Sequence, residues 1–339
     1  MARKKVTMQQ IADVAGVSKY VVSKTLNGKP GVSDQTREKI LFIAKQLGYH
    51  SDLVRSNKSE EADANNSSFI IVVIEHQSHH DSLYWGKIID GIYEAVNEMK
   101  LGMMIVSEDQ QVRQLVNTTS LKGIIGVGHV SSEVLLELNQ LAVPIVLINH
   151  ENSLVSADSI YADNMDGLYK LTNHLIAIGH RSISFVGDTS YSKSFYERWL
   201  GYRMAIEENG LQDEIIKQPL SIPYSSEFQL SFQRWVMERD KIPTAFLCAN
   251  DDLAQKVIIS LKQVGYSVPA DCSVTGFDNI DSSALIKPSL STVQVLKESI
   301  GQRAVYKLIW RMEHRQFPPE KLLIKAEIVM RDSVATLKN

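Results

Sequence analysis

From residue 69 onward the chain alternates between two patterns. Unbroken apolar, β-branched runs stand at Phe69–Ile74, Met103–Val106, Gly123–Val127, Pro144–Ile148, Ser182–Val186, Ala245–Cys248 and Val274–Phe277. Stretches of helical periodicity fall between or after them, near 84–100, 132–141, 164–178, 195–209, 226–239, 250–264 and 296–313. A strand that is apolar at every position must be covered on both faces. The intervening helices supply that cover, which gives an α/β fold with parallel sheets. About 270 residues are long for one such sheet, so the length predicts two lobes. Open parallel sheets take ligands at the carboxyl ends of their strands, so the expected pocket is a cleft between the lobes.

Charge divides the chain at the same place. The 339 residues carry 36 Lys+Arg and 39 Asp+Glu, a formal net of −3. Residues 1–60 hold 11 basic and 5 acidic residues, a net of +6; the remainder holds the other 25 and 34, a net of −9. A small basic module on an acidic body predicts that the first sixty residues meet a polyanion. A merely basic, solvated tail would be low in complexity, and this segment is not. Thr7 with Gln10 forms a capping-box pattern, and Met8, Ile11, Ala12 and Ala15 line one helix face before Gly16. Ser18 can cap a second helix over Lys19–Asn27, and Ser33 a third from Asp34 to Leu47. Two short helices joined at a glycine, with a third closing the core, make a helix-turn-helix unit whose second helix suits a major groove. Residues 56–68 are polar and nearly free of large apolar groups, the composition of a linker.

The sequence excludes or weakens several function classes. No apolar run approaches the ~18 residues of a membrane span, and no apolar stretch follows the basic N-terminus, so a cytoplasmic protein is expected. Cys248 and Cys272 make neither a disulfide framework nor a zinc site. His79-His80-Asp81 has the residue types of a metal site, but adjacent loop histidines are ordinarily solvated. Gly126-Val127-Gly128-His129-Val130-Ser131 partly mimics a dinucleotide fingerprint but has Ser131 where the third glycine belongs. With no Walker loop and no nucleophile elbow, the sequence predicts no catalytic residues, no cofactor and no metal.

The N-terminal stretch from Val6 to Asn27, with Val32-Ser33, Thr36 to Ile40 and Leu47-Gly48-Tyr49, resembles the DNA-binding head of the lactose-repressor/galactose-repressor family. The resemblance runs on through Ala162-Asp163-Asn164, Gly179-His180-Arg181, Glu197 to Tyr202, Ala249-Asn250-Asp251, Ser273 to Asp278, Pro288 to Val293 and Val329 to Ser333. It implies a helix-turn-helix head with hinge over 1–60, a linker over 61–68, and a core over 69–333 like that of periplasmic sugar-binding proteins. In that family the chain crosses between lobes three times, which puts lobe one at 69–162 with 291–319 and lobe two at 163–290 with 320–333. It further implies a regulator, commonly a repressor, that binds a near-palindromic double-stranded operator as a homodimer under the control of a small molecule, typically a carbohydrate. The chain ends soon after Ser333 without a leucine heptad, so a dimer rather than a tetramer is expected.

By the same resemblance Lys19, Tyr20 and Lys24 stand where relatives read base edges, and Ser18, Ser23 and Asn27 where they hold phosphates. Thr7, Tyr49 and Asn57 complete the expected DNA-binding set. The chemistry suits the roles, since a lysine donates to guanine and a tyrosine bonds a base edge or packs on a thymine methyl. Plain alternatives are a solvated helix face for the lysines and rim packing for Tyr20. The hinge departs from the family pattern: Asn57 or Lys58 occupies the region of the usual leucine wedge, which predicts weaker hinge ordering or less DNA bending.

In the core, Arg198, Asn250 and Asp278 match positions where relatives bond a sugar's hydroxyls, and Asp166 matches another. Alternatives are a cap or turn role for Asn250 and Asp278, and a surface pair with Glu197 or Glu94 for Arg198. Tyr84 either stacks on a ligand or packs in the core, within a wall from His76 to Trp85 unlike the family's. Two rival functions stay open: a regulator controlled by a partner phosphoprotein, and a sugar-binding receptor with no DNA role.

Overall fold

A computed structural model describes residues 8, 12, 17–26, 32, 33, 36, 37, 40, 68–74, 82–107, 120–211, 219, 220 and 222–337. The chain separates into two compact units, Met1–Ser67 and Ser68–Asn339.

In the first unit, helix α1 spans Lys19–Leu26. Its start follows from Ser18, whose Oγ accepts the Val21 N–H at 3.3 Å. Ser33 repeats the device by accepting the Thr36 N–H at 3.3 Å. Ala12, Val22 and Ile40, spaced along three helical segments, are buried together, with Met8, Val17, Val21 and Leu26 packed around them. A core this small leaves the rest of α1 outward: Lys19 and Tyr20 are exposed, Tyr20 at 73%. Thr7, Asn27, Tyr49 and Asn57, with the hinge and linker, lie outside the described residues.

The second unit contains two parallel sheets. Strands β1 (Phe69–Ile74), β2 (Gly102–Ser107), β3 (Leu121–Val127), β4 (Ile145–Ile148) and β5 (Asp158–Ala162) belong to the first. Together with β10 (Lys321–Ile324) they form six strands in the order β10-β5-β4-β3-β1-β2. The second sheet has the order β6-β7-β8, from Ile183–Val186, Ala245–Cys248 and Ser273–Thr275. The unbroken apolar runs behave as expected: Ile70 to Ile74 and all of β6 and β7 are buried.

Helices α2 (Lys87–Glu98), α3 (Ser132–Asn139) and α8 (Lys297–Glu313) cover the first sheet. In the second lobe stand α4 (Asn164–Ala177), α5 (Lys193–Glu208), α6 (Phe228–Met237) and α7 (Asp251–Gln263). Helices α2 and α8 cross with their backbones touching, because Gly91 and Gly301 have no side chain. A Cβ at Gly91 would stand 2.0 Å from the Glu298 carbonyl oxygen, and one at Gly301 2.1 Å from that of Ile88.

Three segments connect the lobes: Ala162 to Asn164, the region of β9 (Thr292–Gln294), and that of β11 (Glu327–Val329), which pairs antiparallel with β9. The family resemblance puts residues 320–333 in lobe two as a block. The structure corrects this, since β10 pairs parallel with β5 over Lys321–Ile324 and so belongs to the first sheet. The reason is local. The β5 edge needs a partner, and the Ser159 N–H donates to the Glu320 carbonyl at 2.9 Å while Asp163 N–H donates to Ile324 at 2.8 Å. Only further on does the segment reach the second lobe, where the Val274 N–H donates to Ser333 O at 2.9 Å.

A buried ion pair fixes that edge. Asp158, 1% exposed, accepts two bonds from Arg311 of α8, at 2.7 Å from Nε and 2.6 Å from Nη2. It also accepts the Glu320 N–H at 2.8 Å, so one carboxylate ties β5, α8 and β10 together.

Candidate functional site

The carboxyl ends of both sheets face a cavity of about 560 Å³ between the lobes. Loops after β3 and β4 bring His129, Asn149 and His150 to it from the first lobe, with Tyr84 and Trp85 from the turn before α2. The N-terminus of α5 brings Ser192 to Phe195 and Arg198 from the second, joined by Tyr191, Tyr224, Asn250 and Asp278.

Arg198 organises the floor. It is 4% exposed and uses three donors on three elements: Nε to Asn164 Oδ1 at 3.0 Å, Nη1 to the Ala249 carbonyl at 2.7 Å, and Nη2 to Asp278 Oδ1 at 3.0 Å. Its guanidinium lies 3.9 Å from the centre of the Phe277 ring. It is therefore a buried pair with Asp278 and not a surface pair with Glu197 or Glu94. A guanidinium has five N–H groups, so two remain beyond these three. Asp278 itself adopts φ 104°, an αL-side conformation unusual for a residue with a side chain. Its carbonyl accepts from the buried Lys297 ammonium, so the strained turn is held from behind. Burial lowers the Lys297 pKa, with the nearby Asp278 carboxylate opposing it.

Asn250 caps a helix and also lines the cavity. Its Oδ1 caps α7 by accepting the Leu253 N–H at 2.9 Å, and its side chain lines the cavity beside Tyr224. Tyr84 is packed and also lines the cavity: its hydroxyl accepts from Asn149 Nδ2 at 2.9 Å, and its ring meets Trp85 edge-on at 4.9 Å. Asp166 is different. It sits in the first turn of α4, its Oδ2 is 2.5 Å from Lys170 Nζ, and it is absent from the cavity wall. The structure brings together four of the five expected effector residues and leaves Asp166 out.

Residues that sequence reasoning missed are His129, Asn149, His150, Tyr191, Lys193 and Tyr224. The strand-end rule carried the signal for three of them, since Gly128-His129 follows β3 and Asn149-His150 follows β4. Gly126, read as part of a weak dinucleotide fingerprint, is an interior strand glycine: a Cβ there would stand 2.8 Å from Leu147 Cδ2. That closeness to a core side chain explains the glycine without a nucleotide.

Behind the floor, Asp251 accepts from Ser283 Oγ at 2.7 Å, Thr292 Oγ1 at 2.5 Å and the Ile280 N–H at 2.9 Å, joining α7 to crossing strand β9. Burial and the Asp278 charge push its pKa up to about 7, against the pull of those three bonds. A folded pKa above the unfolded one means the folded state binds more protons in between. Stability from this group is therefore present below the ordinary value of 3.8 and lost as pH rises to about 7. Urea unfolding across that window should show a downward slope that Asp251→Asn flattens.

Fold and site define a class: a two-lobed cleft protein whose N-terminal unit is built as a helix-turn-helix. Comparison with known proteins agrees. Residues 7–52 match the family described as bacterial regulatory proteins, lacI family, and residues 172–334 match a periplasmic binding protein-like domain. A lacI-family module and a periplasmic binding protein-like domain thus stand in one chain. It is 28% identical over 338 residues to the probable HTH-type transcriptional repressor ExuR of Bacillus subtilis (strain 168), covering 98% of this chain and 99% of that one. It is 26% identical over 342 residues, with the same coverage, to the HTH-type transcriptional repressor PurR of Actinobacillus pleuropneumoniae serotype 3 (strain JL03). Among solved structures, a complex of the transcriptional regulator CelR with cellobiose superposes with a TM-score of 0.67 at 20% identity, covering 97% of this chain and all of that one. The lac repressor dimer bound to operator and the anti-inducer ONPF gives 0.65 at 23%, covering 98% and 100%. These relatives are named as transcriptional repressors or regulators. No helix among the described residues is long and apolar enough to cross a membrane.

Proposed function

We propose that the protein is a repressor whose grip on a near-palindromic operator is set by a sugar, or a sugar derivative, in the inter-lobe cleft. The observation that carries this reading is the Arg198–Asp278–Asn250 floor beneath aromatic walls. Directional bonds from charged and amide groups in a concave cleft suit a polyol. Hydrogen bonds from two lobes to one ligand also give it different affinities for different lobe arrangements. Such a difference, usually about 1–3 kcal/mol, is what moves the populations of DNA-binding and released states. Two solved relatives have a sugar in their description, cellobiose in one and ribose in another.

The partner on the other side is operator DNA, met by two copies of the chain working where the DNA is, in the cytoplasm. Lys19, Tyr20 and Lys24 face base edges, and Ser18 and Ser23 with the α1 N-terminus hold phosphates. The exposure of Lys19 and Tyr20 supports this, because neither is used by the small core of the head. Thr7, Asn27, Tyr49 and Asn57 are proposed for the same surface on sequence grounds.

Fluorescence anisotropy with an operator duplex tests both halves. Affinity should fall steeply and log-linearly with salt, since phosphate contacts release counterions. Lys24→Ala should cost about 1–3 kcal/mol of operator affinity and less on random DNA. A panel of neutral and acidic sugars should contain members that change operator affinity. Salt-independent binding would sink the DNA half, and a panel with no effect on operator affinity would sink the sugar half.

A further inference from the structure

One end of the cleft is built differently from the floor. Helix α5 opens there with Ser192, Lys193 and Ser194, and its first turn contains no acidic residue to offset the helix dipole. Facing it from the first lobe are His129 and His150, whose rings meet at 4.8 Å with an interplanar angle of 80°. The cleft adjoins a second cavity of about 650 Å³ that shares Asn149, His150 and Lys193 and is also lined by Tyr161 and Lys321.

Two polar atoms at this junction are buried and unpartnered: His150 Nε2 and the Tyr161 hydroxyl. Burial raises the Tyr161 pKa, so its hydroxyl stays protonated and is a donor. Lys193 and Lys321 lie over the Tyr161 ring, 5.4 and 4.5 Å from its centroid, and share one carboxylate, Glu151, at 2.5 and 2.8 Å. Lys321 is also 3.7 Å from Glu197. Glu151 uses only one of the three donors on Lys193. Among the described residues the cleft wall has one carboxylate, Asp278, committed to Arg198, and the adjoining cavity adds Glu151, held by Lys193 and Lys321, and Glu320, held by Lys307. Each of these carboxylates has a cationic partner, so the junction still offers spare donors: two N–H groups of Lys193, the Tyr161 phenol and the α5 N-terminus.

We propose that the effector is an anionic carbohydrate, a sugar acid or a sugar phosphate, whose anionic group docks between Lys193 on the second lobe and Tyr161 on the first. The inference rests on the sugar-controlled reading above and specifies its ligand. An oxyanion only accepts hydrogen bonds and can meet the spare Lys193 N–H groups, the Tyr161 hydroxyl and the α5 N-terminus together; a neutral hydroxyl meets fewer of them. Because the donors stand on both lobes, the anion draws the α5 N-terminus toward the first lobe. It thus binds one lobe arrangement more tightly than the other, which is the requirement for control.

Calorimetry on the full-length protein tests this with matched probes: galactose, galacturonate and galactose 6-phosphate, and the corresponding glucose series. The anionic member of a series should bind at least roughly tenfold tighter than its neutral parent. Whether the carboxylate or the phosphate does so identifies the source of the anion. Lys193→Gln should collapse the anionic-to-neutral affinity ratio toward one, and Lys193→Arg should restore most of it. Tyr161→Phe, which removes one oxygen, should lower the same ratio by a smaller factor. Neutral sugars binding as tightly as their anionic partners would overturn the anionic inference and leave the sugar-controlled reading standing. A ratio left unchanged by Lys193→Gln would overturn it in the same way. If neither series binds and operator affinity does not respond, the sugar-controlled reading fails and the inference fails with it.

Discussion

Arg198→Met abolishes the response to the effector: operator affinity becomes the same with and without sugar. The side chain has similar bulk, so the loss is one of donors. Asn164 Oδ1, the Ala249 carbonyl and Asp278 Oδ1 all lose the group that bonds them now. Truncating one partner of a buried, hydrogen-bonded charge pair costs about 2–5 kcal/mol of binding, so sugar affinity falls roughly thirtyfold or more. The Asp278 turn, already at φ 104°, loses its anchor from the cleft side. Part of the cost therefore appears as lower stability of the second lobe. Arg198→Lys separates the effects, because it keeps the charge but cannot reproduce three bonds in three directions. It should retain more stability than Arg198→Met while still losing most sugar affinity, measured by urea unfolding and calorimetry on the same samples.

Asp158→Ala is expected to be the most destabilising single change in the first lobe. It strands the Arg311 guanidinium, removes the acceptor of the Glu320 N–H, and leaves Lys307 with Glu320 alone. Breaking a buried pair from one side costs roughly 3–5 kcal/mol. Adding Arg311→Met to Asp158→Ala should recover part of that loss, since no charge is then left buried. Urea midpoints of the two variants check it. Equal midpoints would show that the bonds to Arg311 contribute little beyond the volume that Asp158 fills.

Strong periodicity made most of the fold legible. The runs at Phe69–Ile74 and Ala245–Cys248 coincide with β1 and β7, and the helical stretches at 132–141, 164–178 and 250–264 contain α3, α4 and α7 within a few residues. What escaped was β5 and β10. Asp158-Ser159-Ile160-Tyr161-Ala162 has a buried acid and a serine where an apolar run was sought. Those polar residues are satisfied by Arg311 and by Glu320, partners far along the chain that local patterning does not display. Missing β10 is what misplaced residues 320–324. The floor of the cleft was legible because Arg198, Asn250 and Asp278 stand in recognisable motifs. Its other end was not, because Lys193, His150 and Tyr161 are single residues in unrelated segments. Only the meeting of the two lobes makes them neighbours. Asp166 shows the converse: a motif position on a helix end that turns to Lys170 instead of the cavity.

Coupling between cleft and DNA carries a reciprocal signature. If a sugar changes operator affinity by some factor, operator must change sugar affinity by the same factor. Calorimetric titration of the active sugar into the full-length protein, alone and saturated with operator duplex, measures this. The expected shift in sugar affinity is about five- to 150-fold, equal to the shift in operator affinity seen by anisotropy. Identical sugar affinities with and without operator would contradict it.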